Sequence, residues 1–391
     1  MKNKHSLFTL AVHAGEERYG KFAPMATPII QSSTFVFPSS REVLRFSEGK
    51  SKAFMYTRYG NPTLRAAEIK AAALEGGEAA LVTASGMAAI STAALALLRS
   101  GDEILSSRNI YGGTFHLFNH VLPKFDIQTR FFSGDDLDSV ERLVTPRSRL
   151  LYIETPANPV MQIIDLRRAA HIAKRHRMLL MVDSTFATPL LQRPLELGAD
   201  VVMHSVTKYL GGHSDIIGGL LVGNKKVIGK IHEMLKRLGG IMDPAAAFLL
   251  LRGMKTLPVR VERQCGSAMK IARWMEKHPR FARVHYPGLK SSPYHALAKG
   301  QMHGLFGGMI AADLRGGRPA AMRFADRLRV IQNAASLGGV ESLISLPVLT
   351  SHWGFSADQL RSVGITEGTV RLSIGLEEAK DLIEDIRQAA G

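Results

Sequence analysis

Cysteine is almost missing from this 391-residue chain, Cys265 being the single one. One thiol permits neither an internal disulfide nor a cysteine metal cluster, which agrees with a reducing compartment, and Cys265 reads as a small packing residue. Long hydrophobic runs are missing as well. No apolar stretch approaches the roughly 18 to 20 residues needed to span a bilayer. The opening MKNKHSLFTLAVHAGEERYG shows neither the apolar segment nor the small-residue cleavage site of a signal peptide. A cytoplasmic protein without membrane contact is expected. Acidic residues are few beside basic ones, 34 against 50, for a formal net charge of +16. The basic residues are scattered, and the densest patches, Lys225-Lys226 and Lys236-Arg237, are short and without aromatic interleaving. No nucleic-acid partner is therefore expected. The excess charge suits solubility and attraction of small anions.

What is present is ordinary for a globular protein: 46% hydrophobic and 21% charged residues, in a length that suggests two or three domains. Residues 1–60 are rich in Pro, Ser and Thr and show no clean periodicity, so they read as an extended arm. A helix follows, with Asn61 as its cap, Pro62 at its first position and Gly76-Gly77 at its close. From residue 78 short apolar runs near 80, 104, 151, 180, 202 and 220 alternate with helical stretches. That rhythm predicts an α/β fold with a mostly parallel sheet covered by helices on both faces. Asp165 is placed to cap a helix reaching about residue 176. A helical stretch over 245–277 leads to a smaller C-terminal part, with strands near 307–312 and 369–374 and an amphipathic helix at the end.

Two of the apolar runs end in chemistry. Asp183 stands where the run 179–182 stops, and Ser205, Thr207 and Lys208 stand just past the run 201–203. Open α/β sheets put their ligands at such strand ends. A lysine amine reacts with an aldehyde only when neutral, and burial beside positive charge moves it toward that state. An acid can keep a pyridine nitrogen protonated, and hydroxyls two residues apart can hold a phosphate. The set suits pyridoxal 5'-phosphate (PLP). Ser85-Gly86-Met87, at the turn from the first strand into a helix, adds the backbone N–H groups of a helix start as a phosphate cradle. The loop GGHSDIIGG with His204, His213 and Asp215 lacks the three or four convergent ligands of a catalytic zinc, so no metal is expected.

The run VDSTFATP, then LELGAD, then HSVTKYLGGHSD resembles the Cys/Met-metabolism family of PLP enzymes, the trans-sulfuration group of cystathionine and methionine γ-lyases, γ-synthases and O-acylhomoserine sulfhydrylases. Matching segments extend from about Tyr56 to the last helix. The resemblance implies a fold type I, aspartate aminotransferase-like PLP-dependent transferase. It divides into an arm over 1–60 lying on a neighbouring subunit, a PLP-binding domain over 61–250 and a small α+β domain over 251–391. It implies a homotetramer, a dimer of dimers, whose sites are shared, with Tyr56 and Arg58 of YTRYGNPT reaching a neighbour's cofactor phosphate. By the same resemblance Lys208 is the cofactor-bearing amine and proton carrier, and Tyr111 of YGGT stacks on the ring and assists the leaving group. Asn158 of ETPANP contacts cofactor hydroxyl and substrate carboxylate. Ser336 of the SLGG segment lies at the substrate, and Arg371 of RLSIGLE clamps the α-carboxylate through its planar fork.

Two positions bear on the member. Gly113 stands where better-known methionine γ-lyases carry Cys, and Ala335 stands where many cystathionine enzymes carry a Glu that faces the distal amino group. Leu337 follows Ser336, unlike the Trp of cystathionine β-lyases. The expected activity is a carbon–sulfur γ-lyase on a sulfur amino acid, with γ-replacement as the alternative and an aminotransferase as a remoter one.

Overall fold

The computed structural model describes residues 5–16, 23–351 and 353–391. The apolar runs become β1 (Ala79–Thr83), β2 (Glu103–Ser107), β4 (Ser148–Glu154), β5 (Leu179–Asp183), β6 (Val201–Ser205) and β7 (Gly219–Gly223). One further strand, β3 (Gln128–Phe132), joins them, and the sheet runs β1-β7-β6-β5-β4-β2-β3. The five strands from β6 to β3 are parallel, whereas β7 is antiparallel to both β1 and β6. Strands buried on both faces read as continuous apolar runs, which is why β4 to β6 stand out in the sequence. β3 lies at the edge and is half exposed, so QTRFF carries no such run.

A second sheet, in the order β10-β11-β12-β9-β8, is built from β8 (Phe281–His285), β9 (Met309–Leu314), β10 (Gln332–Asn333), β11 (Leu343–Ser345) and β12 (Thr369–Ser373). Arg371 sits mid-sheet in β12, paired with Ser345 on one side and Ala311 on the other. The stretch expected as one helix over 245–277 is two, Pro244–Lys255 and Leu257–Lys277, parted at Thr256. Pro258 explains the break, because it has no N–H to donate and its ring crowds the preceding turn.

Helix caps follow the sequence closely. In α3 (Pro62–Glu75), after two helices of the arm, Asn61 accepts from Thr63 N and Gly76 closes the helix at φ 73°. In α4 (Gly86–Leu97) Ser85 accepts from Ala88 N. Asp165 accepts from Arg168 N at the start of Leu166–Arg175.

The first 60 residues are not simply extended. They hold α1 (Leu7–His13), capped by Ser6, and α2 (Ser40–Ser47), capped by Ser39. α1 is too short to show periodicity, yet Leu10 and Ala11 are buried in one cluster with Leu64 and Ala67 of α3. Its anchor is polar. Lys70 of α3 is 0% exposed, and its Nζ donates to Ala11 O at 2.7 Å and Val12 O at 3.1 Å, with Glu16 Oε1 at 3.4 Å. α2 buries none of its residues against its own chain.

Lys70→Met keeps the length of the side chain and removes its donors, leaving two carbonyls of α1 without their partner. Urea denaturation is expected to show a loss of about 1.5 to 3 kcal/mol, the usual cost of a hydrogen bond to a charged group. An unchanged midpoint would mean that apolar packing alone holds α1.

Candidate active site

Parallel register sets the frame. Glu154 pairs with Asp183, and Asp183 with Met203, so β4 and β5 end level and β6 runs two residues further, to Ser205. Past β6 the chain turns through Ser205 to Lys208, whose N–H donates to Ser205 O at 3.2 Å. The start of α4 approaches from one side, and β12 with the segment around Ser336 approaches from the other sheet. Between them is a cavity of about 480 Å³. Ser85, Gly86, Met87, Tyr111, Asn158, Asp183, Ser205, Thr207, Lys208 and Arg371 all line it. Ser336 lies between the lining residues Ala335 and Leu337 and bonds to both Lys208 and Arg371.

Tyr56 and Arg58 do not reach this cavity in their own chain. Arg58 donates to Lys236 O at 2.6 Å, and its guanidinium carbon lies 5.3 Å from the Tyr56 ring and 5.1 Å from the Tyr59 ring. It lines a separate cavity of about 200 Å³.

Asp183 is buried, and burial pushes its carboxyl above the ordinary range. Hydrogen bonds from Thr185 oppose the shift: Asp183 Oδ1 accepts from Thr185 N at 3.0 Å and from Thr185 Oγ1 at 2.6 Å. Thr185 Oγ1 in turn accepts from Ser205 N at 2.9 Å, which locks the ends of β5 and β6 together. Tyr152, fully buried, points its hydroxyl at Asp183 Oδ2 from 3.5 Å.

Lys208 donates to Ser336 Oγ at 3.0 Å. Burial first, and then the Arg371 charge, push its amine down to about 8. Arg371 is 7% exposed; it donates to Asn158 Oδ1 at 2.9 Å and to Ser336 O at 3.1 Å. Its Nε is buried without a hydrogen-bond partner among the described residues. A guanidinium that keeps one buried N–H unpaired is built to receive an acceptor, and a carboxylate matches its fork.

Around Gly86 the backbone is closely approached. A Cβ there would meet Met203 Cε at 3.1 Å and Ser205 Cβ at 3.2 Å, so glycine lets the first turn of α4 come down beside the Ser205 hydroxyl. The N–H groups of a first helical turn have no intrahelical partners and favour anions. The donor set fits PLP: an amine moved toward its neutral form, a buried acid for the ring nitrogen, and N–H and hydroxyl groups for the phosphate.

The family model described as Cys/Met metabolism PLP-dependent enzyme matches residues 8–390. This chain belongs to that family. It is 42% identical over 388 residues to an L-methionine gamma-lyase of Fusobacterium nucleatum subsp. polymorphum, covering 98% of both chains. A cystathionine gamma-lyase of Bacillus subtilis is also 42% identical, over 382 residues, with 97% of this chain and 98% of that one covered. The crystal structure of a cystathionine gamma-lyase from Lactobacillus plantarum complexed with L-serine superposes with a TM-score of 0.92, at 38% identity and 98% coverage of each chain. The chain is thus a PLP-dependent enzyme of fold type I.

The lining residues that the sequence did not single out include Glu154, which bonds to two that it did. Glu154, buried at the end of β4, accepts from Tyr111 N at 2.6 Å through Oε2 and from Asn158 N at 3.1 Å through Oε1. Burial and the neighbouring Asp183 carboxylate push its carboxyl up to about 8. An acid at a strand end, the signal that marked Asp183, was available for it too.

Because the Lys208 amine is pushed down, it is half neutral near pH 8 and mostly neutral above that. Loading of the cofactor-free protein with PLP, followed by absorbance, is expected to speed up with pH and level off above about 8. A rate that kept climbing toward ~10.4, where ordinary lysines titrate, would contradict the buried, Arg371-facing amine.

Proposed function

We propose that this enzyme is a carbon–sulfur lyase acting at the γ carbon of a sulfur amino acid. The reading includes a cytoplasmic homotetramer of two dimers, an arm over 1–60, a PLP-binding domain over 61–250 and a small domain over 251–391. One observation carries it: the Lys208 amine, held by Ser336 in the cavity that also contains Asp183 and Arg371.

Bound PLP supplies an aldehyde and a ring that accepts electrons from the substrate α carbon. In this reading Asp183 holds the ring nitrogen, and Ser85, Gly86, Met87, Ser205 and Thr207 hold the phosphate together with Tyr56 and Arg58 of a neighbouring subunit. Asn158 serves the ring hydroxyl, and Tyr111 stacks on the ring. Arg371 orients the substrate carboxylate with its unpaired Nε–H, and Ser336 keeps Lys208 close by. The neutral Lys208 amine takes the proton from the α carbon and then moves a proton at the β carbon. Tyr111 delivers a proton to the departing sulfur. Ammonia, a thiol and 2-oxobutanoate are the products after water is added.

The far side of the cavity supports a substrate whose distal group is uncharged. Phe186, Ile217, Ala335 and Leu337 line it, and its acids among the described residues, Glu154 and Asp183, already accept N–H groups. A second ammonium, as in cystathionine, meets no such acid beside Ala335. The methyl thioether of methionine fits this lining.

Incubating the PLP-loaded enzyme with L-methionine alone is expected to give 2-oxobutanoate and methanethiol, with kcat/KM at least ~10-fold above that for L-cystathionine, a ratio in reach of one pocket contact. Lys208→Ala abolishes turnover. If keto acid came from neither amino acid and product formed only from an O-acylhomoserine plus a thiol, γ-replacement would take the place of the lyase.

Gly113 tests the role given to Tyr111. A Cβ at this position would lie 2.5 Å from Tyr111 Cε1 and 3.2 Å from Met87 Sδ, so Gly113→Ala forces the phenol aside. Misplacing a reacting group by about 1 Å can cost up to ~100-fold, and kcat is expected to fall by at least ~10-fold with the fold intact by circular dichroism. An unchanged kcat would remove Tyr111 from the proton path.

A further inference from the structure

We infer that Glu154 is a positioning residue of this site, acting as a two-pronged carboxyl group that holds the main chain of Tyr111 and of Asn158 together. The inference rests on the roles proposed for those two residues, and it adds the group that sets where they stand.

The geometry is specific to a carboxyl group. Glu154 uses a separate oxygen for each N–H, Oε2 for Tyr111 at 2.6 Å and Oε1 for Asn158 at 3.1 Å. Among side chains of this length only a carboxyl group has two oxygens, one for each N–H; glutamine has one, and its amide would turn a donor toward a donor. Tyr111 stands at the start of the short helix α5 (Gly112–His116), whose first residue is not capped by a side chain. The tyrosine is 48% exposed, so packing alone does not fix it. Its main chain is held instead, by Glu154 through the N–H.

From Asn158 the network continues. Arg371 donates to Asn158 Oδ1 and Ser336 O, and Lys208 donates to Ser336 Oγ. One unbroken path of hydrogen bonds therefore leads from the Tyr111 main chain to the Lys208 amine, and Glu154 is its only acid. Keeping that acid is costly: it is 5% exposed and faces Asp183 at the paired position of β5. A second carboxyl beside the first raises the penalty of burial. A residue needed only to fill space would be apolar or an amide.

The test uses the full-length protein and the variants Glu154→Gln and Glu154→Asp. PLP affinity is measured by titration of the cofactor-free protein, the seat of the ring by the visible-region circular dichroism of the bound cofactor, and the fold by thermal unfolding. Glu154→Gln is expected to lose at least ~10-fold in PLP affinity and to change the visible dichroism, the scale set by leaving a buried donor unpaired. Glu154→Asp, which retains both acceptors, is expected to recover part of each. Wild-type affinity and dichroism in Glu154→Gln would overturn the inference, as would an aspartate no better than the glutamine. A glutamine variant that does not fold moves the decision to the wild-type protein. There, hydrogen exchange of the Tyr111 and Asn158 amides must be at least ~10-fold slower than that of Gly112; equal rates would overturn it. These amides are read without PLP or substrate, so a protein that failed to bind PLP would sink the functional reading while leaving the carboxyl contacts separately decided.

Discussion

Two cations share one buried cavity, and the rest of the site depends on how that is tolerated. Lys208 follows a strand of one sheet, Arg371 lies in the other, and the two face one cavity. Arg371 keeps its charge because Asn158 Oδ1 and Ser336 O accept two of its N–H groups. Lys208 has a hydroxyl to donate to, not a carboxylate, so it yields first, and its amine drops to about 8. A lysine paired with an acid would stay charged and unreactive. The lowered amine is therefore made by the fold, through the meeting of β12 with the loop after β6.

The acids of the cavity are kept off the lysine in a similar way. Asp183 is engaged by Thr185, and Glu154 by two main-chain N–H groups. Parallel register brings both to the same level of the sheet, and Thr185 ties that level to Ser205. Acids and cations thus share one cavity without an ion pair between them among the described residues, because each is bound to a neutral partner. Such an arrangement is preorganised: its groups need no rearrangement when a charged ligand arrives.

How much of this the sequence discloses depends on the range of the interaction. Asp183, Ser205, Thr207 and Lys208 stand at the ends of continuous apolar runs, a signal contained in a few residues. Asn61, Ser85 and Asp165 are legible for the same reason, since a cap is a local device. β3 and the short β10 and β11 are not, because edge or brief strands carry little apolar signal. α1 is hidden in seven residues whose burial is decided by Lys70, far along the chain. The split at Thr256 was legible from Pro258, and the apolar pattern running through both helices masked it. Glu154 carries a local signal as an acid at a strand end, but its significance lies in joining Asn158, four residues on, to the main chain of Tyr111 on a distant segment, which ETPANP does not disclose.

The family is legible where the member is not, and the reason is energetic. Cofactor-directed groups are charged and buried, so each must be present with its partner, and a wrong residue costs several kcal/mol. In the proposed reading, distal selectivity is set by apolar lining residues such as Ala335 and Leu337. One methylene more or less in such a lining changes discrimination by only about 1 to 3 kcal/mol. A chain can exchange these residues without disturbing the fold or the cofactor seat. The match that identifies the chemistry therefore spans nearly the whole sequence, while in the proposed reading substrate choice rests on a few side chains that come together only at the cavity.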